Sequence, residues 1–203
     1  MTEEGDGVET GRRVAELNSA ILTPFSVPAI ESVVFSWFSP TGVGPVMSSG
    51  LSALLGILIL SVAPFVPVVY GVRSRRTDLD ISDRKKRSAF YAISLVAYAV
   101  GVAVFLATSN RIMFVLSMAY LCVGLALMLI TFAWKISAHA AATAGMATAF
   151  SLVLGGWMLL VYVFAAVTIW ARVRLGAHTF LQALAGAIAS TAITALVFVG
   201  LYV

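Results

Sequence analysis

The chain has 203 residues, of which 61% are hydrophobic and 11% are charged, and its mean hydropathy is +1.00. Soluble domains carry about 25% charged residues, so this composition argues against a soluble protein and predicts an integral membrane protein. The formal net charge of +4 comes mainly from a cluster between Arg73 and Arg87. In a membrane protein such a cluster indicates topology and contact with anionic headgroups before it indicates nucleic acid, and we predict no nucleic-acid partner.

The N-terminal part of the chain has two segments of different character. Residues 1–16 are polar and predict an N-terminal tail, whereas residues 17–203 predict a single membrane domain. Residues 17–38 are apolar but contain Pro24, Pro28 and Glu31. Because proline inside a helix removes a hydrogen bond and bends the chain, this segment predicts a kinked or interfacial helix.

Six further apolar segments predict an all-α fold, a polytopic membrane bundle with six main transmembrane helices. They cover residues 47–72, 88–108, 112–134, 140–154, 157–170 and 180–203. A membrane span needs about 20 apolar residues, so the fourth and fifth segments are short. The fourth and sixth contain many alanine, glycine and serine residues, which favour close packing of these two helices in lipid.

Three polar segments interrupt the apolar body, at residues 73–87, 135–139 and 172–178. Two spans separate each polar segment from the next, so all three are expected at the same membrane face. The turns of the opposite face carry only Arg111. Because short loops rich in lysine and arginine stay in the cytoplasm, the pattern predicts a plasma-membrane protein whose polar face is cytoplasmic.

The only two histidines, His139 and His178, each stand at the start of a predicted helix on this polar face. Helix N-termini and arginine side chains both suit phosphate. A neutral imidazole can attack phosphorus, and a second imidazolium can protonate the leaving oxygen. The two histidines and the nearby arginines therefore suffice for metal-independent hydrolysis of a phosphate ester. A charged rim with structural histidines is the alternative interpretation.

An acidic segment lies within the first polar cluster and allows two interpretations. Its carboxylates, on Asp78, Asp80 and Asp83, could bind Mg²⁺, which takes carboxylate and substrate phosphate oxygens. Alternatively, they neutralise the cations around them. Two histidines alone are too few for a zinc site, and we predict neither a bound metal nor a cofactor.

The polar segments resemble the three motifs of the type 2 phosphatidic acid phosphatase superfamily. The third motif, S-R-x5-H-x3-D, is similar to Ala171-Arg172, five residues, His178, three residues and Gln182. The second, P-S-G-H, is similar to the segment ending in Ser137-Ala138-His139.

The first motif of that superfamily, K-x6-R-P, is similar only to Arg87-Ser88, with Asp80 at the lysine position. The resemblance covers the chain from about Met47 to its C-terminus. The departures include Ile136 and Ala138 in the second motif and Gln182 in place of the aspartate of the third.

The resemblance implies a role for each matching residue. His178 would be the nucleophile, and His139 would protonate the leaving group. Gln182 would occupy the position that orients the nucleophilic histidine, without the charge of an aspartate. The residues expected to hold the phosphoryl group are Arg87, Arg172 and Ser137, with Arg84 as a second candidate for the first motif.

The expected function is hydrolysis of a lipid phosphate or pyrophosphate, of isoprenoid or phosphatidyl type, through a phospho-histidine. Its partners would be this substrate and the membrane lipids. One alternative is a non-catalytic membrane protein that binds lipid phosphate and keeps the phosphatase fold. Another is a Mg²⁺-dependent intramembrane prenyltransferase that uses the acidic segment.

Overall fold

The computed structural model describes residues 3–79, 81 and 83–203, with side chains for 9–79, 81, 83 and 86–203. Every regular element in this part of the chain is helical. The α-helices are α1 (Glu3–Ile21), α2 (Ser26–Phe38), α3 (Ser49–Gly56), α4 (Ala63–Arg73), α5 (Arg84–Ala107), α6 (Arg111–Ala133), α7 (Ala138–Leu154), α8 (Tyr162–Arg174) and α9 (Phe180–Leu201). A π-helical segment, Ile57–Val62, joins α3 to α4, and a 3-10 segment, Gly156–Val161, precedes α8.

Five continuous helical stretches in the described part of the chain are long and apolar enough to cross a membrane. They are Ser49–Arg73, Lys86–Ala107, Arg111–Ala133, Gly156–Arg174 and Phe180–Leu201. Helix α7 is apolar but shorter, with 17 residues. The pair α1 and α2, bent by 58°, counts as a further span when taken as one unit. The predicted all-α membrane bundle and its kinked first segment are confirmed.

Two boundaries differ from the sequence prediction. Helix α1 begins at Glu3, inside the predicted polar tail. Its polar residues form i,i+4 pairs, Arg12 with Glu16 and Arg13 with Glu9, which support a helix. The fifth span runs from Gly156 to Arg174 and not over 157–170, mainly because α8 continues for four residues beyond Trp170. Arg172 therefore lies in the last turn of α8 and not in a loop.

The bent pair α1–α2 connects the two ends of the bundle. Near its start, a Cβ placed on Gly11 would lie 3.7 Å from Arg174 Nη2, at the end of α8. After its end, Ser39 Oγ lies 3.2 Å from the Tyr202 hydroxyl, at the end of α9. The three polar segments therefore lie at the end where α1 begins, which we call the polar end, and the turn before Arg111 lies at the other.

Helices α7 and α9 pack closely through small residues, as the sequence predicted. Ala140, Ala144, Ala183 and Ala187 are buried together in this region. A Cβ on Gly186 would lie 2.4 Å from the backbone oxygen of Ser137, so α9 touches the first turn of α7 directly. The helix starts that carry His139 and His178 are thereby held against each other at the polar end.

Candidate functional site

A cavity of about 1230 Å³ opens at the polar end of the bundle. Arg87 from α5, His139 from α7, Arg172 from α8 and His178 from the α8–α9 turn all line it. All four side chains are buried, with Arg172 only 2% and His178 only 6% exposed. The tertiary structure therefore brings together both candidate catalytic histidines and two of the candidate phosphate-binding arginines.

His139 is positioned by the start of α7. Ser137 is the N-cap, and its hydroxyl accepts a hydrogen bond from the backbone N–H of Ala140 at 3.3 Å. This cap fixes the first turn of the helix, in which His139 is the second residue. His139 is thus held on a rigid helix start that faces the cavity.

His178 is positioned between the end of α8 and the cap of α9. The backbone oxygen of Arg172 accepts hydrogen bonds from the N–H groups of Ala177 at 3.0 Å and His178 at 3.3 Å. These hydrogen bonds close the helix end only if one residue adopts the left-handed backbone conformation, and Gly176 does so at φ +65°. Thr179 then caps α9. The backbone of His178 is therefore held on both sides.

The His178 imidazole is neutral in this environment. Burial, first, and then the positive charge around it lower its pKa from 6.5 to about 3. The groups that contribute this charge are Arg87, Lys135, Arg172 and His139. Its Nδ1 atom is buried and has no hydrogen-bond partner among the described residues. A neutral imidazole in a positive field is suited to meet an anionic group.

The lowered pKa of His178 predicts a pH dependence of folding stability. Because the unfolded imidazole binds a proton at higher pH than the folded one, the stabilising contribution is complete above about pH 6.5 and is lost progressively towards pH 3. We expect the unfolding temperature to fall as the pH is lowered from 7.5 to about 5. The same scan on His178→Ala should fall less steeply. Identical slopes for the two proteins would contradict a neutral buried His178.

Arg87 connects three parts of the polar end. Its Nε donates to the backbone oxygen of Ile81 at 2.7 Å, and its Nη1 donates to that of Ile136 at 3.1 Å. The guanidinium thus ties α5 to the loop before it and to the residue preceding the α7 cap. Arg87 has a structural function in addition to lining the cavity.

Ser137 and Gln182, both candidates from the family motifs, lie outside the cavity lining. The Ser137 hydroxyl is used to cap α7. Gln182 forms a capping box with Thr179: its Oε1 accepts from the Thr179 backbone N–H at 3.1 Å. The motif position suggested that Gln182 accepts a hydrogen bond from the His178 imidazole, but His178 Nδ1 forms no hydrogen bond with Gln182. Both side chains satisfy local backbone groups, which the motif alignment could not reveal.

The acidic segment is only partly described. Asp80 and the side chain of Arg84 lie outside the described residues. Asp78 is exposed and lines the cavity, whereas Asp83 lies 3.9 Å from Lys86 Nζ at the surface. Among the described residues, no group of three or more His, Cys, Asp or Glu side chains is placed to hold a metal ion.

Sequence reasoning did not identify the deeper walls of the cavity. They include Phe25, Phe65, Tyr98 and Tyr120, while Ser19 contributes from α1. These residues lie in apolar helices whose pattern does not show which face is turned inward. Glu31, which lies behind Tyr120 and does not line this cavity, did carry a signal, because an ionisable residue in an apolar segment indicates a special role. Glu31 is 1% exposed and accepts a hydrogen bond from the Tyr120 hydroxyl.

No protein-family model, curated protein sequence or solved structure matches the chain. The resemblance to the type 2 phosphatidic acid phosphatases is therefore a prediction from the motifs.

Proposed function

We propose that this protein hydrolyses a phosphate monoester or diphosphate of a membrane lipid, with His178 as the nucleophile. The observation that supports this proposal is the buried, neutral imidazole of His178 in one cavity with His139 and two buried arginines. The arrangement provides a nucleophile, a second proton-transfer group and positive charge for the phosphoryl oxygens. The spacing of Arg172 and His178, with five residues between them, agrees with the third motif of the superfamily proposed from the sequence.

The chemistry proceeds in two steps in this proposal. The lone pair of His178 attacks phosphorus, the bond from phosphorus to the lipid oxygen breaks, and protonated His139 donates its proton to that oxygen. Water then attacks the phospho-histidine, and His139, now neutral, takes a proton from the water. Arg87 and Arg172 stabilise the charge on the phosphoryl oxygens in both steps. Phosphate leaves, and both histidines return to their starting states.

A phosphate-release panel on purified protein tests this proposal. It compares phosphatidic acid, isoprenyl phosphates and isoprenyl diphosphates in micelles, with His178→Ala as the inactive control. We expect release from at least one of these lipids, no loss of activity in EDTA, and an acid-labile phosphoryl group on the wild-type protein. Lipid phosphate binding without release would favour the non-catalytic alternative. Loss of activity in EDTA would favour a metal-dependent enzyme such as the prenyltransferase.

We further propose that the polar end faces the cytoplasm at the plasma membrane. The charge asymmetry supports this orientation: the exposed residues Arg73, Arg75, Arg76 and Lys86 lie at the polar end, whereas Arg111 begins a helix at the other.

Cysteine labelling measures this orientation. In a Cys122→Ala background, a cysteine replacing exposed Ser74 should resist a membrane-impermeant maleimide in intact cells and react after lysis. A cysteine replacing Thr41, exposed at the opposite end, is the matched control and should react in intact cells. The reverse pattern would place the site outside the cytoplasm.

A further inference from the structure

The cavity changes from polar to apolar with depth. Its polar end contains the four charged or titratable residues of the proposed site. Further into the bundle it is lined mainly by apolar and aromatic side chains, among them Phe25, Phe65, Phe90, Val68 and Leu127. The carboxylates of Glu16 and Asp78 also line the cavity, but both are exposed, whereas Arg87 and Arg172 are buried. Two buried guanidinium groups joined to an apolar interior are complementary to an amphiphile whose head is anionic.

The cavity is about as deep as one leaflet of a bilayer. Arg87 and Tyr98 both line it and stand eleven residues apart on α5. At a helical rise of about 1.5 Å per residue, this separation is about 16 Å. The hydrocarbon core of a bilayer is about 30 Å thick, so one leaflet contributes about 15 Å. A lipid chain that begins at the polar end would therefore reach Tyr98.

Two tyrosines form a rigid floor at that depth. The rings of Tyr98 and Tyr120 lie with their centroids 5.4 Å apart, and both line the cavity. The Tyr120 hydroxyl donates to the buried carboxyl group of Glu31, which fixes the ring in place. This pair ties α6 to α2 in the interior of the bundle.

A small chamber of about 30 Å³, lined by both apolar and polar side chains, lies next to Tyr120. Tyr120 lines both cavities, as do Val123, Ala141 and Ala142, whereas Glu31, Ser190 and Thr194 line only the chamber. The chamber has room for about one water molecule but none for a hydrocarbon chain. The Tyr120 ring is thus part of the wall between the deep cavity, which has room for a hydrocarbon chain, and the chamber, which has none.

We propose that the deep cavity binds the hydrocarbon chain of the lipid phosphate inside the bundle, and that Tyr98 and Tyr120 limit the length of that chain. The proposal rests on the proposed function, because it takes the phosphate of the same lipid to lie at His178. A chain already dissolved in the bilayer gains little from transfer into another apolar environment. Selectivity instead comes from fit: a short chain leaves a void, and a long one meets the floor.

Three variants test the length limit against n-alkyl phosphates from butyl to eicosyl phosphate. Ser94 lines the cavity above the floor, so Ser94→Phe should shift the optimum to shorter chains. It should lower kcat/KM for dodecyl phosphate by about tenfold while leaving butyl phosphate unchanged. Tyr98→Ala opens the floor and should shift the optimum to longer chains. Val96→Phe adds the same ring as Ser94→Phe on the outer face, where Val96 is 66% exposed, and should match the wild type. A wild-type rate that does not depend on chain length would overturn the proposal.

A binding measurement separates this proposal from the proposed function. Dodecylphosphonate with a terminal diazirine cannot be hydrolysed, and after irradiation of the wild-type protein it should label the floor, at Tyr98 or Tyr120. Labelling there without phosphate release from any lipid would keep the chain pocket and refute the phosphatase. Phosphate release with labelling on the outer face, at Ile93 or Val96, would keep the phosphatase and refute the chain pocket. This experiment needs no substitution, so its result does not depend on how well a variant folds.

Discussion

Replacing His178 with alanine is expected to abolish phosphate release, lowering kcat by on the order of 10³-fold or more, because the variant has no group to form the covalent intermediate. The backbone of this residue is held by the Arg172 oxygen and by the neighbouring α9 cap, and neither contact uses the imidazole. The variant should therefore fold, and a similar thermal unfolding temperature at neutral pH would confirm that it does. The measurement is phosphate release together with capture of a labelled phospho-enzyme.

His139→Ala tests the second assigned role, protonation of the leaving group. If His139 protonates the leaving group, its loss should cost about 10²- to 10⁴-fold with a lipid alcohol as leaving group. The cost should become small with p-nitrophenyl phosphate, because nitrophenolate leaves without a proton. His178→Ala should be inactive on both substrates. If His139→Ala lost as much activity on p-nitrophenyl phosphate as on the lipid phosphate, its role as the acid would be refuted. A phosphoryl group trapped on a residue other than His178 would refute the assigned nucleophile.

Replacing Gly186 with alanine is expected to destabilise the protein by about 3 kcal/mol, since the added methyl group overpacks a tight helix contact. The new Cβ would lie 2.4 Å from the backbone oxygen of Ser137, which also accepts the hydrogen bond of Ala141 N–H. Backbone cannot move aside as a side chain would. Helix α9 must therefore shift away from the start of α7, which also displaces His139 relative to His178.

Gly200→Ala provides the matched control for this prediction. Gly200 lies on the same helix, and apart from its chain neighbours and the backbone of that helix no atom of the described residues stands within 4 Å of the position that its Cβ would take. Because alanine favours a helix over glycine by about 1 kcal/mol, this variant should be as stable as the wild type or more so. Thermal unfolding in detergent and specific activity are measured for both proteins. Equal unfolding temperatures would show that the α7–α9 contact is less tight than the structure indicates.

The fold class could be predicted from the sequence because lipid restricts the alternatives. Backbone polar groups inside a bilayer must be satisfied within the chain, so long apolar segments of this kind form helices. The positions of the polar segments along the chain then determine their end of the bundle, because two crossings return the chain to the same side. This reasoning placed Arg87, His139 and His178 at one end, and the structure shows all three lining one cavity.

The sequence by itself thus determined the membrane bundle, its kinked first segment and the common end of the two histidines. Tertiary structure alone decided that α1 extends to Glu3, that Ser137 and Gln182 serve as helix caps, and that two tyrosines line a deep cavity. The hydrogen bond from Tyr120 to Glu31 joins residues 89 positions apart, which no local pattern encodes. The physical reason is that interior and lipid-facing sides of a membrane helix are both apolar, so hydropathy shows that a helix crosses the bilayer but not which of its faces encloses a cavity.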